Sequence, residues 1–237
     1  MNELTGLPAQ QPHAFNFGHD LHRTNSTQRP PREPARVQRL GHVVLQSSAY
    51  IQSLNWYLDH LGLIVSDFMY YPGQRERGPA TSFIRCDRGS APTDHHTLAL
   101  VLGPSDRYLH SAFQVCDLDA IAAGGEHLRE LGYQRSWGIG RHIQGSQIFD
   151  YWRDPDGFLV EYFTDGDMFE DTLGPGWAPL TASGLAQWGS PATKDFLGMA
   201  PGKEAVRELR SMLTAIRDDN NEFDITRLCG LLKVARS

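Results

Sequence analysis

The segments Arg39-Leu40-Gly41-His42 and Arg107-Tyr108-Leu109-His110 share one short pattern, Arg-x-x-His, and each opens an apolar run with the character of a β-strand. A helical stretch follows each run and ends in a similar phrase, Leu58-Asp59-His60-Leu61-Gly62 in the first unit and Leu128-Arg129-Glu130-Leu131-Gly132 in the second. Such repetition is typical of internal duplication, which places equivalent positions opposite each other across a pseudo-twofold axis. The two histidines are therefore expected to meet in space.

A carboxylate completes this pair at the end of the second unit, where Glu161 interrupts the apolar strand Phe158-Leu159-Val160-Glu161-Tyr162-Phe163. Burying a carboxylate in such a strand is costly unless a partner offsets its charge. A single histidine on a strand is more often structural than a ligand, but two equivalent histidines and one carboxylate match the facial triad of non-haem Fe(II) oxygenases. We predict that His42, His110 and Glu161 bind a metal.

Five sequence elements occur in an order and spacing that resemble a known family: Gly41-His42, Asp94-His95-His96-Thr97, Leu109-His110, Gly140-Arg141-His142 and Tyr151-x-x-Asp-Pro-Asp-Gly-x-x-x-Glu161. Across residues 36–169 the chain resembles the vicinal oxygen chelate superfamily, and within it the type I extradiol catechol dioxygenases. The resemblance implies an α+β fold, in which paired βαβββ modules form a cupped mixed sheet around the metal and a C-terminal helical tail follows.

The same resemblance assigns three further catalytic residues. His96 matches the acid-base histidine of the family, and His142 and Tyr151 match the pair that hydrogen-bonds the substrate hydroxyls. The implied metal is Fe(II), although Mn(II) suits the same ligands. Because side chains alternate along a strand, His95 is expected to point away from the site as a surface or interface residue. Trp152 is expected to pack in the core.

We therefore predict a non-haem Fe(II)-dependent extradiol ring-cleaving dioxygenase, an oxidoreductase that acts on a catechol-type aromatic and O2 in aromatic hydrocarbon catabolism. One alternative is a metal-dependent lyase or isomerase of the same superfamily. These enzymes usually use four protein ligands, and the last strand of the first module, Thr97-Leu98-Ala99-Leu100-Val101, has no carboxylate. The other alternative is a non-enzymatic module that binds an aromatic drug, which does not need the triad together with three more site residues.

The chain divides into a polar, proline-rich arm (1–36), a catalytic domain (37–169, with modules at about 37–104 and 105–169) and a C-terminal arm with helices (170–237). Members of the family often carry a second, non-catalytic pair of modules before such a linker. Residues 1–36 are too few for one, and the sequence does not distinguish a one-domain branch from a first half that was lost or omitted.

Periodicity predicts the elements of each module. Helices are expected over 50–60 and 118–131, the second capped by Asp117, and strands over 43–45, 64–70, 80–86, 97–102, 111–115, 134–139, 147–153 and 158–163. The stretch 172–201, rich in Gly, Pro, Ser and Ala, is expected to form a surface arm. A helix follows with an apolar stripe of Val206, Leu209, Leu213 and Ile216, which fits packing on its own domain or a subunit contact equally well. A shorter helix is expected over 225–234.

Composition bounds the remaining classes of function. With 237 residues, of which 40% are hydrophobic, the chain can bury a core without disulfides. Its net charge of −6 disfavours general nucleic-acid binding. Neither a membrane-spanning apolar run nor a signal peptide is evident. Three scattered cysteines, Cys86, Cys116 and Cys229, indicate a reducing cytoplasm rather than a disulfide framework. A homo-oligomer is expected.

Overall fold

A computed structural model describes residues 10–199, 203–218 and 220–237, the first three of α3 by backbone alone. The first unit contains β1 (Arg39–Ser47), α1 (Tyr50–Leu61), β2 (Leu63–Tyr70), β3 (Thr81–Cys86), β4 (Thr93–Asp94) and β5 (Leu98–Leu102). The second contains β6 (Arg107–Gln114), α2 (Leu118–Glu130), β7 (Arg135–His142), β8 (Ile148–Arg153) and β9 (Leu159–Thr164). Then follow β10 (Met168–Phe169), β11 (Gly176–Pro179), β12 (Ala186–Gly189), α3 (Lys203–Ala215) and α4 (Ile225–Val234).

One mixed sheet of ten strands organises the molecule, in the order β11-β2-β3-β5-β1-β6-β9-β8-β7-β12. The first strand of each unit pairs in parallel with the last strand of the same unit, β1 with β5 and β6 with β9. Strands β1 and β6 pair antiparallel and join the two units. The predicted α+β fold of paired βαβββ modules is therefore confirmed, while the predicted domain boundaries stay a prediction.

The β1–β6 pairing relates the two units by a pseudo-twofold. His42 lies opposite Ala112, and Val44 lies opposite His110, so the two histidines occupy equivalent, diagonal positions on one face. Residues two apart on a strand share a face. In the second unit Ala112 also pairs with Glu161 of β9, which places the carboxylate beside both histidines. The register thus brings the equivalent histidines of the two units, and Glu161, next to one another.

Both predicted helices of the units form, and each packs on the sheet. Tyr50 and Leu54 of α1 join the apolar core of the first unit, and Ile121 of α2 is fully buried in the core of the second. Asp117 is the N-cap of α2, accepting a hydrogen bond of 2.8 Å from the backbone N–H of Ala120, as predicted. Trp152 is buried, which confirms its assignment to the core.

The stretch after the second unit is more ordered than its composition suggested. Strand β11 pairs in parallel with β2, and β12 pairs antiparallel with β7, so this stretch extends the sheet at both edges. The expected surface arm therefore contains two strands. Its glycine- and proline-rich composition did not predict them, because these strands form through backbone hydrogen bonds to the free edges of the sheet. Residues 200–202, at the end of the predicted arm, lie outside the described residues.

The tail helices pack only partly on the first unit. Met212 and Ala215 of α3 and Val234 of α4 contact its core. The predicted apolar stripe of α3 faces elsewhere, because Val206, Leu209 and Leu213 are exposed. None of the helices among the described residues is long and apolar enough to cross a membrane.

Gly41 is required by close packing next to His42. A Cβ at this position would overlap the ring of Phe163, which is itself buried at the end of β9. The Phe163 ring in turn lies 5.4 Å from the His42 ring, measured between centroids. The absence of a side chain at Gly41 therefore allows the Phe163 ring to pack against His42.

We predict that Gly41→Ala lowers the free energy of unfolding by about 1–3 kcal/mol, because overpacking forces neighbouring rings out of their rotamers. Urea unfolding followed by tryptophan fluorescence measures the change. Gly174→Ala is the matched control, since an added Cβ there meets no described atom within 4 Å, and its expected effect is within about 0.5 kcal/mol. Equal stability of the two variants would contradict this account of Gly41.

Candidate active site

The structure brings His42, His110 and Glu161 into one cluster at the centre of the sheet. Their potential ligand atoms all lie within 4.8 Å of one another. Glu161 Oε2 is 3.2 Å from His42 Nε2 and 3.3 Å from His110 Nε2. Glu161 is 1% exposed and His42 is 3% exposed, so the cluster is screened from bulk water. Each residue comes from a different strand, β1, β6 or β9.

Several polar atoms of this cluster have no hydrogen-bond partner. Both carboxylate oxygens of Glu161, the Nε2 atom of His110 and the Nδ1 atom of His42 are buried and unpaired. Leaving a buried polar group unpaired costs about 1–3 kcal/mol, and more for a charged one. A cation bound between these atoms would satisfy Glu161 and His110, so the residues present fit a divalent metal.

The protonation states also suit a metal. Burial alone would raise the pKa of the Glu161 carboxyl, but the His110 and His42 side chains beside it hold that pKa well below its usual range. Burial lowers the pKa of His110, against the opposing influence of Glu161. A carboxylate and a neutral imidazole result, and metal ligands must be in these deprotonated forms.

His96 lies against the candidate ligands. Its ring centroid is 4.1 Å from that of His42, and it also contacts Phe83. Burial lowers the pKa of His96 well below its usual value, and the nearby His42 and His95 rings add to this effect. The neutral imidazole is within reach of the cluster without being one of its three members.

His142 and Tyr151 form a hydrogen-bonded pair beside the cluster. The Nε2 atom of His142 is 3.0 Å from the Tyr151 hydroxyl, and its Nδ1 atom is 2.8 Å from the carbonyl oxygen of Leu185. Because a carbonyl only accepts, Nδ1 carries the proton and Tyr151 donates to Nε2. The Tyr151 ring contacts His110, and His142 Nε2 is 4.0 Å from Glu161 Oε1.

Sequence reasoning did not anticipate the shell around this pair. Trp137 stacks on Tyr151, Phe149 stacks on His142, and Phe196 contacts both Trp137 and Tyr151. Phe196 and Leu185 come from the stretch after the second unit, far from the family motifs. The signal in the sequence was the pair Phe149 and Tyr151, two residues apart on β8, and such a pair does not distinguish a site wall from a core.

The prediction for His95 is wrong. Its side chain is fully buried, with Nε2 2.7 Å from Asp67 Oδ2 and Nδ1 3.0 Å from His96 Nδ1. The expectation rested on strand alternation, but residues 95–97 form the irregular connection between β4 and β5. Two adjacent residues can both turn inward where no pleat is present.

The two units differ at one position that decides the number of ligands. Leu98 pairs with Val43, one residue after His42, and Val160 pairs with Ser111, one residue after His110. Ala99 is therefore the counterpart of Glu161, and its side chain has no donor atom. Among the described residues, the cluster of potential metal ligands consists of His42, His110 and Glu161 alone.

Comparison with known proteins agrees with this geometry. The chain is 32% identical to metapyrocatechase 2 of Cupriavidus necator over 68% of its own length and 47% of that protein. It is 28% identical to an iron-dependent extradiol dioxygenase of Rhodococcus jostii, over 69% of its length and 53% of that protein. The chain thus spans about half the length of these two relatives.

A solved structure shares the fold. The Mn(II)-bound glyoxalase from Novosphingobium aromaticivorans superposes with a TM-score of 0.59 at 26% identity, covering 72% of this chain and 52% of that one. A family model described as the Glyoxalase/Bleomycin resistance protein/Dioxygenase superfamily matches residues 39–162. That match spans more than half of the 237 residues and coincides with the two βαβββ units. The chain belongs to this superfamily, as its resemblance to the vicinal oxygen chelate proteins predicted.

Proposed function

We propose that this protein is an Fe(II)-dependent extradiol dioxygenase, which cleaves the ring of a catechol-type aromatic with O2 during aromatic hydrocarbon catabolism. The observation that carries the proposal is the three-ligand cluster with Ala99 in the place of a fourth ligand. Three protein ligands leave neighbouring coordination positions for a bidentate catecholate and for O2. The two extradiol-cleaving relatives support the same class of reaction.

In this proposal His42, His110 and Glu161 hold the metal. Bound Fe(II) supplies Lewis acidity and a route for electrons between the aromatic substrate and O2. The protein contributes geometry and charge. Glu161 provides one negative charge in a buried site, so a dianionic catecholate would leave the assembly only slightly charged. Mn(II) fits the same donors, and the structural neighbour binds it.

The His142–Tyr151 pair is suited to orienting the substrate. The Tyr151 hydroxyl donates to His142 Nε2 and keeps free lone pairs on its oxygen, which can accept a hydrogen bond from a substrate hydroxyl. The Leu185 carbonyl holds the other nitrogen of His142, so the imidazole cannot rotate away. A proton leaving the substrate can then pass to Tyr151 as Tyr151 donates its own to His142 Nε2.

His96 is suited to acid-base work because it is neutral and next to the ligands. A neutral imidazole can accept a proton from a substrate hydroxyl and return it to oxygen later in the reaction. Its ring packs on His42, whereas the Tyr151 ring contacts His110, so the two groups border different members of the cluster. The site would therefore contain two groups that can take a proton from a bound diol.

A second function has one observation in its favour. The Mn(II)-bound glyoxalase shares the fold at 26% identity, so this chain could use a metal as a Lewis acid without O2. Such enzymes usually bind the metal through four protein ligands, and the required position is Ala99 here. We therefore rank the lyase or isomerase class second.

Two further proposals concern the oligomeric state and the cellular location of the protein. We propose a homo-oligomer, supported by the exposed apolar side chains Val206, Leu209 and Leu213 of α3. We also propose that it acts in the cytoplasm, since Cys86, Cys116 and Cys229 are free thiols. Light scattering of the purified protein tests the first statement, and localisation of a tagged chain tests the second.

Replacing His42, His110 or Glu161 by Ala should abolish bound iron and turnover together, because each is proposed as a direct ligand. Metal content by mass spectrometry after anaerobic loading, and O2 uptake with catechol, measure the two effects. His60→Ala, at the exposed end of α1, is the matched control and should keep both. A fully loaded and active Glu161→Ala protein would remove that residue from the ligand set.

His96→Ala and Tyr151→Phe should keep iron but lose turnover by about 10²–10⁴-fold, the usual contribution of general acid-base groups. Both side chains are proposed to handle protons without contacting the metal. Steady-state kinetics on variants of equal iron content measure the loss. If both variants keep kcat/KM within a fewfold of the parent, the roles assigned to these two residues are wrong.

With Fe(II) and a panel of substituted catechols, the protein should consume one O2 for each ring opened and release a ring-cleaved product with visible absorbance. An oxygen electrode and absorbance spectroscopy follow the two quantities together. Turnover under anaerobic conditions would favour the lyase or isomerase class. Cleavage between the two hydroxyl-bearing carbons would contradict the extradiol mechanism itself.

A further inference from the structure

A chain of three side chains runs from β2 to the candidate site. Asp67 Oδ2 lies 2.7 Å from His95 Nε2, and His95 Nδ1 lies 3.0 Å from His96 Nδ1. His96 then packs on His42. The Asp67 side chain is 24% exposed whereas His95 is fully buried, so the chain begins near the surface and ends beside the proposed ligands.

The middle residue of this chain is held on every side. The backbone N–H of His95 donates to the carbonyl of Asp167, and its carbonyl accepts a 2.5 Å hydrogen bond from the hydroxyl of Ser66. The rings of Phe83 and Phe169 pack against its imidazole. A histidine with this many contacts has little freedom to change its ring orientation.

Hydrogen-bond chemistry restricts which nitrogens carry protons. An ionised carboxylate only accepts, so His95 Nε2 is the donor to Asp67. In the neutral form of His95, which has a single N–H, Nδ1 is left bare. His96 Nδ1 must then be the donor in the contact between the two rings. In a neutral His96 the remaining nitrogen, Nε2, is left without a proton.

We propose that Asp67 and His95 are positioning residues, which orient the His96 imidazole and keep it in the Nδ1–H form so that a bare Nε2 is available as a proton acceptor. The inference rests on the proposed function for its catalytic consequence, though not for the hydrogen bonding itself. Asp67 acts only through His95 and touches neither the proposed ligands nor the substrate.

The stretch after the second unit holds Asp67 in place. Gly176 of β11 lies opposite Asp67 in the sheet, and a Cβ at Gly176 would overlap Asp67 Oδ1. Arg85 connects residues 170–173, which precede β11, to Ser66, which precedes Asp67. Its guanidinium donates to the carbonyls of Glu170 and Leu173 and to the Ser66 hydroxyl. A small change on β11 should therefore alter the orientation of the His96 imidazole through Asp67 and His95.

Histidine ¹⁵N NMR tests the proposal directly. The 237-residue chain, loaded with diamagnetic Zn(II), is compared with Asp67→Ala, Asp67→Asn and Gly176→Ala, and the His96 signals are assigned from their loss in His96→Gln. The parent should show His96 protonated at Nδ1 and bare at Nε2. Asp67→Ala should convert a measurable fraction to the Nε2–H form, whereas Asp67→Asn should retain the parent form because its amide oxygen still accepts from His95 Nε2.

Kinetics on the Fe(II) protein with catechol provide the second measurement. Asp67→Ala should lower kcat about 10-fold or more, as losses of supporting hydrogen bonds commonly do, while KM and iron content change little. Asp67→Asn should lie nearer to the parent, and Gly176→Ala should lie between them because it displaces the carboxylate without removing it. Gly174→Ala, two residues away in open space, should match the parent.

Two results would overturn the proposal: a parent His96 protonated at Nε2, or an Asp67→Ala protein with the parent tautomer and kcat. Thermal unfolding of each variant distinguishes a loss of positioning from a loss of fold. Asp67→Asn and Asp67→Ala remove the same charge, so a difference between these two variants reports the hydrogen bond to His95. If no catechol is turned over, the proposed function fails, yet the tautomer measurement still decides whether Asp67 and His95 control His96.

Discussion

The buried carboxylate of Glu161 is the constraint on which the rest of this structure depends. It lies at the centre of a ten-stranded sheet, 1% exposed, with no hydrogen-bond partner for either oxygen. Removing a charge from water costs several kcal/mol unless the surroundings compensate for it. Two imidazoles placed at 3.2 and 3.3 Å supply part of that compensation, and a metal cation would supply the remainder. The register of β1, β6 and β9 brings the carboxylate and the two imidazoles together.

The duplicated units are equivalent in backbone and different in chemistry. Both supply a histidine from their first strand, but only the second supplies a carboxylate from its last strand, where the first has Ala99. This asymmetry places the Ala99 methyl group where the symmetric arrangement would place a second carboxylate. His96 packs on His42, and Tyr151 of the His142–Tyr151 pair contacts His110. The first unit thus contributes one residue to the cluster and the second contributes two.

The stretch that follows the second unit supports both flanks of the site. On one edge of the sheet β11 packs beside Asp67, which is hydrogen-bonded to His95 and through it to His96. On the other edge the chain near β12 provides the Leu185 carbonyl for His142 and the Phe196 ring for Tyr151. Residues outside the cluster of His42, His110 and Glu161 therefore contribute hydrogen bonds and packing that orient His96, His142 and Tyr151.

The sequence by itself determined the two βαβββ units, the Asp117 cap and the convergence of His42, His110 and Glu161, because strand and helix periodicity and the repeated Arg-x-x-His pattern are local features of the chain. It did not predict the burial of His95, the partnership of His95 with Asp67, the contact of Leu185 with His142, or strands β11 and β12. Each of these depends on which backbone edges and side chains meet after the sheet has closed, over sequence separations that periodicity does not cover. Strand alternation even gave the wrong side for His95, since residues 95–97 leave the pleat. Local pattern thus determined the elements and which residues converge, and tertiary packing alone decided the hydrogen bonds around those residues.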